Sequence, residues 1–555
     1  MSLIMKRGNS KILLIFPPVW DTDTPYLSLP QISSFLEQND VNCSIYDANI
    51  YFWDFITSNK YIQEFVDNLN QVIKDIKYNN SFGYLMSDLF LLENYNNKSL
   101  DQILASLSDS SQKWKFRKAV AIYLGYKIYS QLVDNRSSSI YTSYHDQYYN
   151  AISLSDYSLN SKKIDLLLSR DIEIYRLFFN KIILKKIESI NPEIIGFSII
   201  APNQVIPTML FSKYIKERLP NTKIVCGGSW CTLLKPQIVN NDSLYKYVDM
   251  YVYGEGEKAM LDIANLKIKP HSGYRLKNIS YKFRDKIIFN NSPIDLDINL
   301  LPTPNFDEYE LKKYDNPNTL PLQYSRGCGW GKCRFCSYSF LDNNYKLRKI
   351  EHVINDINKF KMAYDTKHIC FTDSMFPIKQ FIKNINSIKV SFKGLSWQAF
   401  AKNSSNYDFN VFAKLRDTGC KMLIWGVESG SKEVLRNINK NVSINTMERN
   451  LVDSTNAKIH NRVCLMYGIP SETSSDMNES ILFLRRNVSN IQSIAFSRFT
   501  IERNTEMFNK LYQNGDIELS DSNNLTIGFP TSTILSNEEL ISYYNSLFTF
   551  SYYNS

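Results

Sequence analysis

Three cysteines, Cys328, Cys333 and Cys336, stand in the stretch YSRGCGWGKCRFCSYS with the spacing C-x4-C-x2-C. Thiols so placed are soft ligands that a single loop can offer to a single metal centre. A closed structural zinc site takes four ligands. No second C-x2-C occurs, the other six cysteines are dispersed (Cys43, Cys226, Cys231, Cys370, Cys420 and Cys464), and none of the five histidines lies near the loop in sequence. Three thiolates can instead hold three irons of a cubic 4Fe-4S cluster and leave the fourth iron open to a substrate or cofactor. A zinc site completed from a distant segment, or reactive thiols without metal, are the other readings of the same residues. Gly327, Gly329 and Gly331 let the backbone wrap tightly and aim amides at the sulfurs. Phe335, just before the third cysteine, is placed to cover a neighbouring planar ring.

The elements around the loop must position it. The run LPLQYS reads as a strand that feeds directly into the cysteines. Further strands follow in HICFTD, LSWQAFA, MLIWGVES, RVCLMYG and SIAFSRF, and the segments between them, such as HVINDINKFKMA and DFNVFAKLRDTG, have helical spacing. Alternation of this kind over 319–503 predicts a partial β/α (TIM-like) barrel with its chemistry at the C-terminal strand ends. An earlier alternating series, KILLIFPP, LSLPQISSFLEQND and VNCSIYDA, resumes at PEIIGFSII, IPTMLFSKYIKERL and TKIVCGG. It predicts an α/β, doubly wound, Rossmann-like domain over 1–264. Within that domain 51–188 reads as a helical insertion, carried by YIQEFVDNLNQVIKDI, KWKFRKAVAIYLGYKIYSQLV and LLLSRDIEIYRLFFNKIILKKI. Residues 265–318 read as a linker with a short hairpin, and 504–555 as a C-terminal region without a clear pattern.

At 555 residues, 44% hydrophobic and 21% charged, the chain is long enough for several domains with real cores. No apolar run approaches the eighteen or more residues of a membrane span, and the short apolar run after Met1 ends in Pro17-Pro18, which fits a core strand better than a secretion signal. The expected location is therefore cytoplasmic, where clustered thiols read as metal ligands rather than disulfides. The net charge of +9 is spread among interleaved acids and no nucleic-acid motif is recognisable, so neither nucleic acid nor membrane is expected as a partner.

With the motifs in place, the second half of the chain resembles the radical S-adenosylmethionine enzymes. That family's usual spacing is C-x3-C-x2-C with an aromatic before the last cysteine. The longer first gap here, from GWGK, resembles subgroups that modify ribosomally made peptides. The resemblance implies a 4Fe-4S cluster on Cys328, Cys333 and Cys336 whose open iron chelates the methionine part of S-adenosylmethionine. One electron from a donor such as flavodoxin or ferredoxin then yields a deoxyadenosyl radical. FTDSMF is similar to the family's second-strand segment that meets the methionine amino group, with Asp373 as an acceptor. WGVESGS looks like its fourth-strand motif, where Glu428 would accept from ribose hydroxyls or the ammonium, and Gly426 and Gly430 permit close approach. MYGIPSET resembles the turn beside the adenine. Ser497 and Arg498 end the sixth strand, where the arginine is placed to pair with the carboxylate.

The first domain lacks a G-x-G-x-x-G, which disfavours a dinucleotide. PEIIGFSIIAPN, KIVCGGSW and YVYGEGEKAM instead resemble the cobalamin-binding domain fused to many radical S-adenosylmethionine enzymes. Ser198 and Ile200 match its serine-x-hydrophobic pair, Gly227 and Gly228 its glycine pair along the nucleotide tail, and Gly254 to Glu257 its closing turn. The loop PPVWDTDTPYLS has no histidine to ligate cobalt, leaving Trp20, Asn203 or Gln204 as neighbours of the lower face. The combination implies a cobalamin-dependent radical enzyme that methylates an unactivated carbon of a peptide or other natural-product substrate. A cyclisation or rearrangement with the same cofactors is the alternative, and a non-catalytic cobalamin or cluster carrier a further one. Methylthiolation is disfavoured because no second three-cysteine set precedes the barrel.

Overall fold

An unbroken apolar run is the mark of a strand buried on both faces, and Ile12–Phe16 is such a strand, β1, with every side chain buried. The computed structural model describes residues 11–78, 86–107, 109–132, 160–265, 276–292, 296–338, 345–517, 525 and 528–530. They fall into two compact units, drawn from Met1–Leu296, Pro304–Asp315 and Leu519–Ile527, and from Asp297–Thr303, Asn316–Glu518 and Gly528–Ser555.

The first unit is built on seven strands: β1, β2 (Cys43–Asp47), β3 (Ile194–Ser198), β4 (Lys223–Gly227), β5 (Met250–Val252), β6 (Ile279–Phe283) and β7 (Lys286–Asn290). Their order in the sheet is β2-β1-β3-β4-β5-β6-β7. The first five are parallel neighbours, and β6 and β7 add on antiparallel. The chain leaves β1 toward β2 and later returns on the other side as β3, so a topological switch point lies between β1 and β3. In doubly wound sheets ligands bind at the C-terminal ends of the two strands flanking such a point. The hairpin of β6 and β7 is thus not part of a free linker. It covers the edge of β5, and Ile279 and Ser280 are fully buried there.

The insertion between β2 and β3 carries helices and no strand among its described residues, from Ala48–Ile56 to Leu184–Ile190. Phe65 lies at its centre and meets Tyr95, Phe116 and Tyr123 edge-on. Such aromatic pairs add to the area they bury. Arg117, from the long helix Ser110–Leu132, is buried and donates to Thr22 Oγ1 at 2.6 Å and to both carboxylate oxygens of Asp315 at 3.0 Å. The insertion is therefore fastened to the loop that follows β1.

In the second unit, β8 (Thr319–Leu322) leads to two short antiparallel strands, β9 (Ser325–Arg326) and β10 (Lys346–Leu347). Then come β11 (His368–Phe371), β12 (Ser396–Ala401), β13 (Cys420–Glu428), β14 (His460–Tyr467) and β15 (Ser493–Arg498). The strands β8 and β11–β15 are parallel and lie in chain order, each beside its predecessor. Helices fill each return, which is the architecture of a partial β/α barrel. Trp397 and Trp425, on alternate positions of β12 and β13, are fully buried, while Gln398 and Gly426 on the opposite face are partly open. Helix starts are set by local side chains: Asp408, Ser431, Ser443 and Thr473 each accept from a backbone N–H one turn on. Of 504–555, the described residues form the helix Glu506–Gln513 and β17 (Gly528–Pro530), which pairs with β16 (Thr500–Glu502). The rest of that region lies outside the described residues.

One buried polar residue ties three barrel elements together. Asn461 on β14 is fully buried. Its Oδ1 accepts from Trp425 Nε1 at 2.7 Å and Ser454 Oγ at 2.8 Å, and its Nδ2 donates to Leu451 O, Thr455 Oγ1 and Asn490 O. Asn461→Ala should strand the indole N–H without an acceptor and cost roughly 3 kcal/mol, read as an earlier urea midpoint. An unchanged midpoint would show that water replaces the amide.

Candidate functional site

The cysteine loop hangs from one carboxylate. Asp373, just past β11, is fully buried, and its oxygens accept from Tyr324 N (3.1 Å), Ser325 N and Ser325 Oγ (2.6 Å). This corrects the role first read for Asp373: both oxygens hold the strand-to-loop junction, so they are not free to meet an amino group. Burial pushes its carboxyl up to about 6, with the three donors opposing. Beyond Ser325 the loop bends at Gly327 and Gly331, whose φ values of 79° and 59° are left-handed. A side chain at Gly331 would also press on the Cys328 carbonyl at 3.3 Å.

Cys328, Cys333 and Cys336 are all partly exposed on this loop. Burial pushes the Cys333 and Cys336 thiols up, Cys336 to about 12, and each feels the charge of its loop partners. Among the described residues no group of three or more metal-ligating side chains is gathered as a closed chelate. The donor set still fits a thiolate-bound cluster: three soft ligands on one loop at the mouth of the barrel, protonated until a metal displaces the proton. Phe335 packs edge-on against Phe499, with ring centroids 6.3 Å apart.

Beside the loop is an ion pair that the motif alone does not reveal. Glu428 ends β13 with a left-handed φ of 67°, next to a register shift between Gly426 and Glu428. Its Oε1 accepts from Lys440 Nζ at 2.6 Å, with the two side chains only 13% and 12% exposed. Burial alone would lower the Lys440 ammonium, but Glu428 and the Cys333 and Cys336 thiols hold it above the usual lysine value. A Cβ at Gly426 would stand 2.6 Å from Glu428 Oε1 and 2.8 Å from Lys440 Nζ, so this glycine makes room for the pair. Gly430 has a different function. Its Cβ would strike Ser480 Cα at 2.6 Å, so it lets the helix Ser474–Arg486 pack close. A second lysine, Lys402 at the end of β12, is lowered by burial and by Lys440, and it too senses Cys333 and Cys328. Neither lysine belongs to a repeated pattern. The only sequence signal for them is position, each a few residues past a barrel strand or its following helix. Ser497 and Arg498 end β15 partly exposed, in register with Met466 and Tyr467.

In the MYGIPSET turn, Glu472 Oε2 accepts from Gly468 N at 2.6 Å and Ile469 N at 3.1 Å. Its Oε1 is buried with no partner. Burial pushes the acid up to about 7, against the two backbone donors.

In the first unit, Ser198 ends β3, and its Oγ lies 3.0 Å from Ser28 Oγ across the switch point. Ser198, Ile200, Gly227 and Gly228 are all partly open, in contrast to the buried strands that lead to them. Gly227 has room, its nearest would-be contact being Val252 Cβ at 3.5 Å. Gly228 does not. Its φ is 107°, and a Cβ would lie 2.3 Å from the Ile199 carbonyl oxygen. The close approach that demands glycine there is made by the protein's own backbone, which corrects the earlier reason for it. Gln204 is fully buried and committed: Oε1 accepts from Ile200 N at 2.8 Å, and Nε2 donates to Pro17 O at 2.7 Å. It joins the loops after β1 and β3 and is not available to a metal. The small, partly open residues at this edge fit a planar cofactor lying on backbone.

Two outcomes follow. Gly426→Ala should push Glu428 and Lys440 apart while sparing the fold, because the atoms it meets are ends of flexible side chains. If the pair meets S-adenosylmethionine as the motif's resemblance implies, affinity for it should fall about tenfold, the worth of a charge-assisted hydrogen bond, with iron content unchanged. Unaltered binding, by calorimetry, would remove the pair from the site. For Glu472 the folded acid holds its proton up to about 7 while the unfolded one releases it near 4.5. Stability should therefore fall as pH rises through that window, by on the order of 3 kcal/mol, and stay low above it. Glu472→Gln should flatten that slope in thermal melts between about pH 5 and pH 8; an identical slope would place the titration elsewhere.

The protein-family comparison matches residues 322–484 to the radical SAM superfamily. An uncharacterised methyltransferase of Pyrococcus horikoshii, PH0819, is 25% identical over 329 residues, covering 58% of this chain and 68% of that protein. Among solved structures, the cobalamin-dependent S-adenosylmethionine radical enzyme OxsB, with aqua-cobalamin and S-adenosylmethionine bound, superposes at a TM-score of 0.61 and 14% identity. The match covers 97% of this chain and 66% of OxsB. The radical S-adenosylmethionine methyltransferase TsrM of Kitasatospora setae, with cobalamin and a [4Fe-4S] cluster bound, superposes at 0.59 and 12% identity, covering 97% of this chain and 91% of TsrM. At such identities the structures speak for the fold, and the fold is shared from end to end. Residues 322–484 thus match the radical SAM superfamily, and the chain has a fold like that of the cobalamin-binding radical enzymes OxsB and TsrM.

Proposed function

We propose that this enzyme is a cobalamin-dependent methyltransferase that delivers a methyl group to an unactivated carbon of a peptide or other natural-product substrate. The observation that carries the proposal is the placement of the three-cysteine loop at the C-terminal mouth of a radical SAM barrel, beside the Glu428–Lys440 pair. Cys328, Cys333 and Cys336 would hold a 4Fe-4S cluster, and the small residues at the C-terminal ends of β3 and β4, Ser198, Gly227 and Gly228, would carry cobalamin. When bound, the cluster supplies one-electron cleavage of S-adenosylmethionine and cobalamin supplies a methyl carrier. The chain's own residues do the rest. Asp373 fixes where the cysteine loop leaves the sheet. Gly426 leaves the space in which Glu428 stays paired, with one carboxylate oxygen for Lys440 and the other for an S-adenosylmethionine hydroxyl or ammonium. Lys440 and Lys402 give the methionine carboxylate a cationic setting, to which Arg498 adds from β15. Phe335 would cover the planar ring of the adenosyl group. An external electron donor such as flavodoxin or ferredoxin is required.

The nine cysteines are all free, three of them on the partly exposed loop, which favours a reducing, cytoplasmic setting. No helix among the described residues is long and apolar enough to cross a membrane. Cyclisation or rearrangement with the same cofactors is kept as a second reading, because the fold is shared with OxsB, a cobalamin-dependent S-adenosylmethionine radical enzyme.

Anaerobic reconstitution should load about four irons, and the joint Cys328→Ala, Cys333→Ala, Cys336→Ala variant should load none. With methyl-labelled S-adenosylmethionine and substrate, each methyl delivered should release one S-adenosylhomocysteine and one 5′-deoxyadenosine. Deoxyadenosine without S-adenosylhomocysteine would favour the second reading. A fully loaded triple variant would show that the ligands lie elsewhere.

A further inference from the structure

The longer first cysteine gap brings in a tryptophan that the proposed function does not use. Trp330 is half-buried, and its Nε1 donates to the Asn439 carbonyl at 3.1 Å. Asn439 answers in the other direction, with Nδ2 donating to Lys332 O at 2.8 Å. Two further bonds run the same way, from Arg334 N to Ile438 O at 3.0 Å and from Arg334 Nη1 to Asn437 O at 3.0 Å. The cysteine loop is thus laced to the segment 437–439, and the next residue is Lys440, whose ammonium pairs with Glu428. The indole face is used as well. Lys402 Nζ lies 4.9 Å from the Trp330 ring centroid and Lys332 Nζ 5.5 Å, both within cation–π range.

We propose that Trp330 is a positioning residue that fastens Lys402 and Lys440 beside the cysteine loop, and that through these two lysines it sets the reduction potential of the cluster bound there. The physics is direct. A thiolate-bound cluster gains a negative charge when it takes up one electron, and fixed cations nearby favour the more negative state, so they raise its potential. Lys402 is held by the ring and by a bond from its Nζ to the Asn441 carbonyl at 3.4 Å, and Lys440 by the indole bond to the residue before it. The two links can therefore be cut separately. Replacing the indole by a phenyl ring keeps a face for Lys402 and removes only the Nε1 donor. Removing the ring cuts both.

The inference rests on the reading of Cys328, Cys333 and Cys336 as cluster ligands, and the experiment separates the two. The full-length chain is reconstituted anaerobically as wild type, Trp330→Phe, Trp330→Ala and Lys402→Met, with iron counted first. Each loaded protein is then titrated with a chemical one-electron reductant, and the reduced cluster is followed by electron-spin resonance. A wild type that loads no cluster overturns the ligand reading itself, and this inference falls with it. With about four irons bound, Trp330→Ala should show roughly a tenfold lower ratio of reduced to oxidised cluster at the wild-type midpoint, a shift of about 59 mV to lower potential for a one-electron couple. Lys402→Met should shift in the same direction by less, and Trp330→Phe should lie between wild type and Trp330→Ala. Adding Lys402→Met to Trp330→Ala should shift the potential by less than Lys402→Met does in the wild type, since the ring and this lysine act through one contact. If Trp330→Ala loads poorly, Trp330→Phe and Lys402→Met carry the test. Full iron with wild-type potentials in both would overturn the proposal and leave Trp330 as packing.

Discussion

The site depends on one fully buried carboxylate. Asp373 binds the amides of two successive residues, Tyr324 and Ser325, at the point where the first barrel strand turns into the cysteine loop. A strand that ends without ladder partners leaves donors exposed, and burying them unpaired is costly. Asp373 satisfies them from the neighbouring strand β11, so the departure angle of the loop is set by sheet register rather than by the loop itself. Everything after it inherits that angle: the turns at Gly327 and Gly331, the height of the three thiols above the sheet, and the reach of Trp330 toward Asn439.

Charge is then laid around the loop in a particular order. Glu428 would be an unpaired acid in a half-enclosed mouth, and Lys440 cancels it. Removing one partner of such a pair costs more than the pair contributes, because the other is left charged and enclosed. The arrangement needs Gly426, whose missing side chain is the space the pair occupies. The backbone supports this from below with a register shift and a left-handed residue at Glu428 itself, which is strain located at a working position.

How much of this could be read from the sequence follows from how local each cause is. All six barrel strands were visible because parallel strands under helices are apolar runs of a set length, and the sequential sheet order follows from short βα returns. The three cysteines were visible because their geometry is carried by one loop. The Glu428–Lys440 pair was not, since its partners are separated by a helix and its cause is an empty volume at Gly426. The two misread reasons, for Asp373 and for Gly228, share an origin. In each case a residue type that suits a ligand turned out to serve the backbone of its own fold. A sequence shows which residue stands at a turn and not which neighbour presses on it. The hairpin of β6 and β7 was seen as a hairpin, but its attachment to β5 depends on long-range pairing that no local pattern encodes.

The position of the helical insertion has a consequence for how such a protein can diverge. The insertion occupies the crossover from β2 at the sheet's edge to β3 beside β1. Both ends of that crossover are pinned by ladders that exist without it, so its length is thermodynamically inexpensive: doubling a connection adds only about 0.6 kcal/mol of closure entropy. Natural selection can therefore lengthen, shorten or rewrite this one segment while leaving the register of the sheet beneath it untouched. The crossover is in that sense an interchangeable part, and in this chain Arg117 with Thr22 and Asp315 is the fitting by which it is attached.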